Sequence, residues 1–411
     1  MASPQMRSAR LAVVAVVALL LPAAGARSLP LPTAPACPVF PTDNPWNQRV
    51  DALPVAANSD AIISSVGAGT GLHADFGAGL WNGGPIGIPI TVVDGQTTPM
   101  YQVPFEYDDQ SDPGPYPIPP DVAIEGAPNS TGDRHAIIVD RQACRLYELY
   151  ALYPDGNGWT AGSGAIWDLR SNQLRPEGWT SADAAGLPIL PGLARYDEVA
   201  RGVIDHALRF TVQRTRRAYV YPARHFASTL TDPNLPPMGL RFRLKESFDT
   251  SSYPPQSQIV LEALKVYGMM VADNGSSWYI TGAPDLGWDD DDLHQLGTVK
   301  GSDFEVVDTS SLEPGPTSAT VSALSATRTR RGVAVVWRTA SELGVLGYVV
   351  YLQTGHRRAA VSKLIVATGT ARGNSYRFVD RSVRATFAVR YLLQAIHANG
   401  TRTWSGPVGI G

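Results

Sequence analysis

The sequence predicts a mainly β protein in two parts: a β-sandwich or jelly-roll-like body with a few helices, then a small second β-sandwich. Three observations carry this. Apolar and polar residues alternate with period two in many short runs, such as His206-Ala207-Leu208-Arg209-Phe210-Thr211-Val212. The 39 glycines and 33 prolines punctuate those runs, as turns between short strands require. At 411 residues the chain exceeds one compact domain, and a Pro- and Gly-rich stretch without periodicity at 310–316 divides it.

From the N-terminus, Arg7 and Arg10 precede an apolar run that ends at Ala24-Gly25-Ala26, the pattern of a cleaved secretory leader over 1–26. The run is too short to span a bilayer, which needs roughly 20 apolar residues, so no membrane span is expected after cleavage. A secreted, extracellular protein follows. The only two cysteines, Cys37 and Cys144, are then expected to form one disulfide.

The main domain, 27–309, carries strand patterns at 86–93, 100–107, 135–140, 144–153, 165–169, 206–212, 218–221 and 240–245. A helix is expected at 59–66 after Asn58. A longer one is expected at 256–267, with Ile259, Val260, Ala263 and Leu264 on one face and Gly268 as its stop. Asn274-Gly275 between two apolar runs predicts a β-hairpin. Thr180-Ser181-Ala182-Asp183 has the form of a helix capping box.

Beyond the 310–316 linker, Val335-Val336-Trp337-Arg338-Thr339-Ala340-Ser341-Glu342 and Gly347-Tyr348-Val349-Val350-Tyr351 restart the alternation. Together with Tyr376-Arg377-Phe378-Val379-Asp380 and Arg390-Tyr391-Leu392-Leu393, these runs make 317–411 resemble the fibronectin type III-like modules of secreted bacterial proteins. The resemblance implies a small sandwich serving as spacer or binding adaptor, and no catalytic residues.

The formal net charge of −3 conceals a division. The 317–411 segment holds 12 Arg and one Lys against Glu342 and Asp380, a balance of +11; residues 27–316 hold 19 basic and 35 acidic side chains, a balance of −16. The basic segment suits either an anionic wall polymer or docking on the acidic body. No nucleic-acid-binding motif accompanies the arginines, so nucleic acid is not expected as a partner.

No metalloprotease, phosphate-loop, zinc or dinucleotide motif occurs. Candidate catalytic residues therefore come from pattern. Glu148 shares a strand face with Cys144, Leu146 and Tyr150, where burial would raise its pKa as a general acid requires. Asp168, Glu125 and Asp140 are its possible partners. His135 and His206 stand at strand ends on apolar faces. Tyr221 and His225 are acid/base equipment for β-elimination beside a uronate carboxylate, with Arg209, Arg241 and Arg243 as cations for that carboxylate. Trp81 and Trp179, in loops, suit stacking on sugar rings. His73-Ala74-Asp75 and the acidic runs 108–112 and 289–292 are candidate metal sites, calcium for the latter two. The expectation is a secreted carbohydrate-active enzyme cleaving a polysaccharide or cell-wall polymer, by glycoside hydrolysis in preference to β-elimination. The alternative is a non-catalytic polysaccharide- or cell-surface-binding protein.

Overall fold

The computed structural model describes residues 29–312 and, between 321 and 410, all but 340–341, 343–344, 356, 369–372, 384–388 and 398–401. The expected leader and most of the expected linker lie outside the described residues.

The chain is mainly β. The body is built on two mixed sheets. The larger runs, in spatial order, His73–Asp75, Tyr279–Thr281, Leu208–Val212, Met269–Asn274, Arg241–Leu244 and Phe304–Val306. Its first junction and that of Leu208–Val212 with Met269–Asn274 are parallel; the others are antiparallel. The smaller sheet runs Ser163–Asp168, Arg145–Tyr150, Ala136–Asp140, Ile90–Val93, with a parallel junction at Ile90–Val93.

Alternation explains which face each strand buries. Leu208, Phe210 and Val212 join Phe242, Trp278 and Phe304 in a core that also takes Val260, Leu261 and Leu264 of helix Pro255–Val266 and Ile62, Ile63 and Val66 of helix Ser59–Val66. The smaller sheet is covered on both faces. Ile137, Val139 and Leu146 pack with Trp167, Ile189 and Leu190, while Ala136, Ile138 and Leu149 pack with Tyr116 and Ile118. Burial on both faces suits its parallel junction and near-continuous apolar run.

The helix expected at 256–267 is Pro255–Val266, and Gly268 follows it at φ 67°, with its N–H donating to the carbonyl of Ala263. Its N-terminus is capped from a distance: the Asp292 carboxylate accepts from the N–H groups of Gln256 and Ser257. The Cys37–Cys144 disulfide is present, closing a sequence separation of 107. In the chain-entropy account such a loop is worth about 4–5 kcal/mol.

Three local expectations are corrected. The runs flanking Asn274-Gly275 are not a hairpin, because Leu208–Val212 lies between Met269–Asn274 and Tyr279–Thr281 and pairs with both. The turn instead crosses the end of that strand, where the N–H of Gly275 donates to Val212 and that of Trp278 to Thr211. Residues 218–221 form no strand, only a bridge from Tyr219 to Met238. The Thr180–Asp183 motif opens no helix, since the Asp183 side chain is drawn into an ion pair described below.

The C-terminal segment forms two sheets. Val321–Thr329, Gly332–Thr339 and Ser375–Asp380 make one; Arg357–Ala360, Val345–Thr354, Arg390–His397 and Arg402–Gly409 make the other, with Ile365–Val366 pairing to Val345–Thr354 as its fifth strand. Val335 and Trp337 of the first share an apolar core with Tyr348, Val350, Tyr391 and Leu393 of the second, so the segment is a sandwich.

Candidate functional site

Arg209 alternates with Leu208 and Phe210, so its side chain leaves the helix-covered core on the opposite face of the large sheet. There it is buried, and its guanidinium grips Asp183 through two hydrogen bonds, Nε to Oδ2 at 2.7 Å and Nη2 to Oδ1 at 2.9 Å. Nη1 donates to Thr281 Oγ1 at 2.6 Å. Asp273, opposite Thr211 on the adjacent strand, places Oδ2 3.8 Å from Nη2 of the same guanidinium. Two carboxylates therefore share one cation, and only Asp183 holds it closely.

The 180–185 loop that carries Asp183 is pinned from several sides. Ser163 Oγ donates to the Ser181 carbonyl at 2.7 Å, and Ser181 Oγ receives the Asp183 N–H at 2.9 Å. His135 Nε2 donates to the Ala182 carbonyl at 3.1 Å, and His225 Nδ1 to that of Ala184 at 2.8 Å. His135 also places Nδ1 2.7 Å from Glu125 Oε2. A carbonyl and a carboxylate can only accept, so this imidazole is doubly protonated. Burial alone would lower its pKa, but the Glu125 charge and hydrogen bond outweigh that and hold it at about 9.

Two cavities flank this network. One, of about 360 Å³, is walled by Asp133, Tyr150, Ser163, Asp183, His225 and Asp273. The other, of about 630 Å³, is walled by His73, Asp75, Trp81, Glu125, Asp133 and Tyr279, among others. Asp133 lines both. No lysine or arginine lines either. Asp273, with 23% of its side chain exposed, is pushed up to about 7 by burial and then by the Asp183 charge, with Arg209 opposing. Burial likewise raises Asp75 and lowers His73, whose ring lies against Tyr279 with centroids 4.1 Å apart. Trp81 is 79% exposed at the larger cavity.

The expected site residues are scattered rather than brought to one site. Glu148 is 0% exposed, on the Cys144–Leu146 face, and its oxygens accept from the N–H groups of Ile189 and Leu190 at 2.9–3.0 Å. Burial raises it to about 7 against those bonds. It and His135 sit within the wall behind Asp183, while His225 and Arg209 belong to the smaller cavity's network. His206 belongs to a different buried cluster, with Nε2 3.0 Å from Glu198 Oε2 and Arg195 3.0 Å from Glu198 Oε1. Tyr221 lies near Arg241 in a small recess with Pro45 and Met270, apart from His225. The Arg241 guanidinium donates to the carbonyls of Tyr267 and Pro45; that of Arg243 pairs with Glu305 and donates to the carbonyls of Val50, Asp51 and Leu53. Trp179 stacks on Arg175, which in turn pairs with Asp112.

The acidic runs serve as backbone caps and ion-pair partners. Asp289 accepts from the Asp291 and Asp292 N–H groups, Asp290 from Ala78, and Asp292 caps the long helix. Among the described residues, no group of three or more His, Cys, Asp or Glu is arranged to hold a metal ion. Nor is any helix among them long and apolar enough to cross a membrane.

Pattern reasoning gave no site role to Asp183, Asp273 or Tyr150, and placed Asp133 only as a neighbour that could orient or charge His135. Asp183 was concealed by its capping-box context and Asp273 by its place beside the Asn274-Gly275 turn. The available signal was Arg209, a cation mid-strand between Leu208 and Phe210, which requires a buried anion nearby. No family model, curated protein or solved structure matches the chain.

Proposed function

We propose that this chain is an exported glycan-cleaving enzyme, and specifically a glycoside hydrolase whose proton donor is Asp273. The observation that carries the reading is the Asp183–Arg209–Asp273 arrangement on the wall of the smaller cavity. Asp183 is tied to the guanidinium by two hydrogen bonds, and its charge helps keep Asp273 protonated near neutral pH. A carboxyl group kept protonated beside a fixed charge is what a general acid requires; the second carboxylate, as base, is Asp133 on the same cavity.

In this mechanism Asp273 gives its proton to the glycosidic oxygen as the bond to the anomeric carbon breaks. A water attacks that carbon and passes its proton to Asp133 on the same cavity. Arg209, 3.8 Å away, stabilises the Asp273 carboxylate left behind. The larger cavity, reached past Asp133, would hold flanking sugar units, with Trp81 as a stacking plane.

β-Elimination is less favoured. Neither cavity is lined by a cation to neutralise a uronate carboxylate, and Tyr221 and His225 stand apart. The exposed Trp81 also favours a second reading, retention of a glycan without cleavage. The C-terminal module is taken as fibronectin type III-like, which its two antiparallel sheets of three and five strands around a shared apolar core support. Incubating the exported form with a panel of neutral and acidic polysaccharides tests these readings. New reducing ends support hydrolysis, unsaturated ultraviolet-absorbing products mean elimination, and retention without products means binding alone.

A further inference from the structure

The C-terminal module distributes its charge unusually. Its two side-chain carboxylates are internal: Glu342 is 0% exposed and Asp380 2%. Glu342 accepts from the hydroxyls of Thr339, Tyr348, Thr368 and Tyr376 and from the Thr368 N–H. Asp380 accepts from Ser382 and from the Tyr391 hydroxyl. In contrast, all eleven cationic side chains among the module's described residues are exposed. Soluble domains normally intersperse both signs on their surface. This surface presents one sign.

The fold also gathers those charges. Arg328, Arg330 and Arg331 occupy the hairpin between Val321–Thr329 and Gly332–Thr339. Val333 pairs with Asp380, which brings Arg381 beside that hairpin. In the other sheet Gln353 pairs with both Arg390 and Arg358, and Thr354 with Arg357. The 2.9 Å hydrogen bond from Tyr391 to Asp380 ties these two sheet ends together, so both groups lie at one pole of the sandwich. Seven arginines from four separate stretches of chain converge there. Arg358 lies over the Trp404 ring, 5.2 Å from its centroid.

We propose that this pole is a binding surface for an acidic polysaccharide, whose repeated carboxylate or sulfate groups the clustered guanidiniums pair with. Arginine in near-exclusion of lysine suits planar, two-point pairing with such oxyanions. The export expected from the leader places the module where acidic glycans are the abundant polyanions. The inference concerns the module alone and stands or falls separately from the chemistry assigned to the body. It also separates anchoring polymer from substrate, since no lysine or arginine lines the two cavities assigned to the substrate.

The test applies the full chain to an immobilised polyuronate, with an uncharged glucan as control. The chain should bind the polyuronate, release with rising salt and ignore the glucan. The combined variant Arg330→Ser, Arg331→Ser, Arg358→Ser should bind about tenfold or more weakly at low ionic strength. Arg338→Ser, Arg377→Ser, Arg402→Ser removes equal charge away from the pole and should cost about twofold or less. All six side chains are exposed, and near-ultraviolet circular dichroism of buried Trp337 verifies folding. Equal losses in the two variants would overturn the pole as a site. Absence of binding, because the acidic body covers the pole, or tighter binding to duplex DNA than to polyuronate, would overturn the glycan assignment.

Discussion

The body and the C-terminal module handle ionisable groups in opposite ways. The body buries ion pairs, as in Arg209–Asp183 and Arg195–Glu198–His206, and lines the two cavities beside Arg209 with carboxylates. The module buries its two carboxylates among hydroxyl donors and exposes its described lysine and arginine side chains. A buried ion pair is costly to desolvate and contributes little net stability, but it fixes geometry. That suits a region whose side chains must hold set positions around a cavity. A carboxylate satisfied by neutral hydroxyls takes up none of the described cations, which suits a region that meets a polyanion. The overall charge of −3 is the sum of these two opposed balances and the +2 of Arg7 and Arg10, and says little about either region.

The comparison can be broken first at the disulfide. Replacing both Cys37 and Cys144 with Ser should lower body stability by about 4–5 kcal/mol and leave the module's transition unmoved. Calorimetry that shows two transitions, one shifted, checks this; a common shift would mean that the two regions unfold as one. Next, Glu198→Gln removes the buried carboxylate that His206 shares with Arg195, leaving Arg195 only the Asp197 carboxylate, and should cost the body ~3–5 kcal/mol. The counterpart Glu342→Gln turns an amide toward hydroxyl donors and should cost the module ~1–3 kcal/mol. Denaturant titration of each variant ranks the two losses.

The pH dependence should differ in sign. His135, held at about 9 against an ordinary 6.5, contributes stability that is complete below 6.5 and lost as pH rises through 9. Asp273 acts in the same direction: its folded form holds a proton up to about 7, so stability falls as pH rises from its ordinary 3.8 toward that value. For Glu342, burial would raise the pKa, but the hydroxyl and Thr368 N–H bonds hold it below the ordinary 4.5, so its contribution is lost only on acidification. Melting between pH 6 and pH 9 should therefore lower the body's midpoint by more than the module's, an effect of ~1–3 kcal/mol. Smallest of all, Trp81→Ala should leave stability within about 0.5 kcal/mol while weakening long-glycan binding roughly fivefold or more, the worth of one stacked ring.

How much of this was legible beforehand depended on whether the deciding contact was local. Alternation placed Glu148 on the face of Cys144 and Leu146, and helical periodicity found Pro255–Val266, because both are properties of neighbouring residues. The disulfide followed from having two cysteines to pair. Asp183, Asp273 and Asp133 come from separate loops and strand ends, and nothing in their own surroundings announces Arg209. The hairpin expectation failed for the same reason: Asn274-Gly275 specifies a turn, but a strand more than sixty residues earlier occupies the space between its arms. The net charge of the module was countable from sequence. Its concentration at one pole required the pairing register and the Tyr391–Asp380 bond.

The central claim is that the acidic cavity of the body performs hydrolysis with Asp273 as proton donor. Its most direct test is product analysis after incubation of the wild type and Asp273→Asn with the same polysaccharide panel. The account predicts new reducing ends without unsaturated products in the wild type, and a loss of about 10²–10⁴-fold in the variant with folding and glycan retention intact. Unsaturated products, or a variant as active as the wild type, would contradict it.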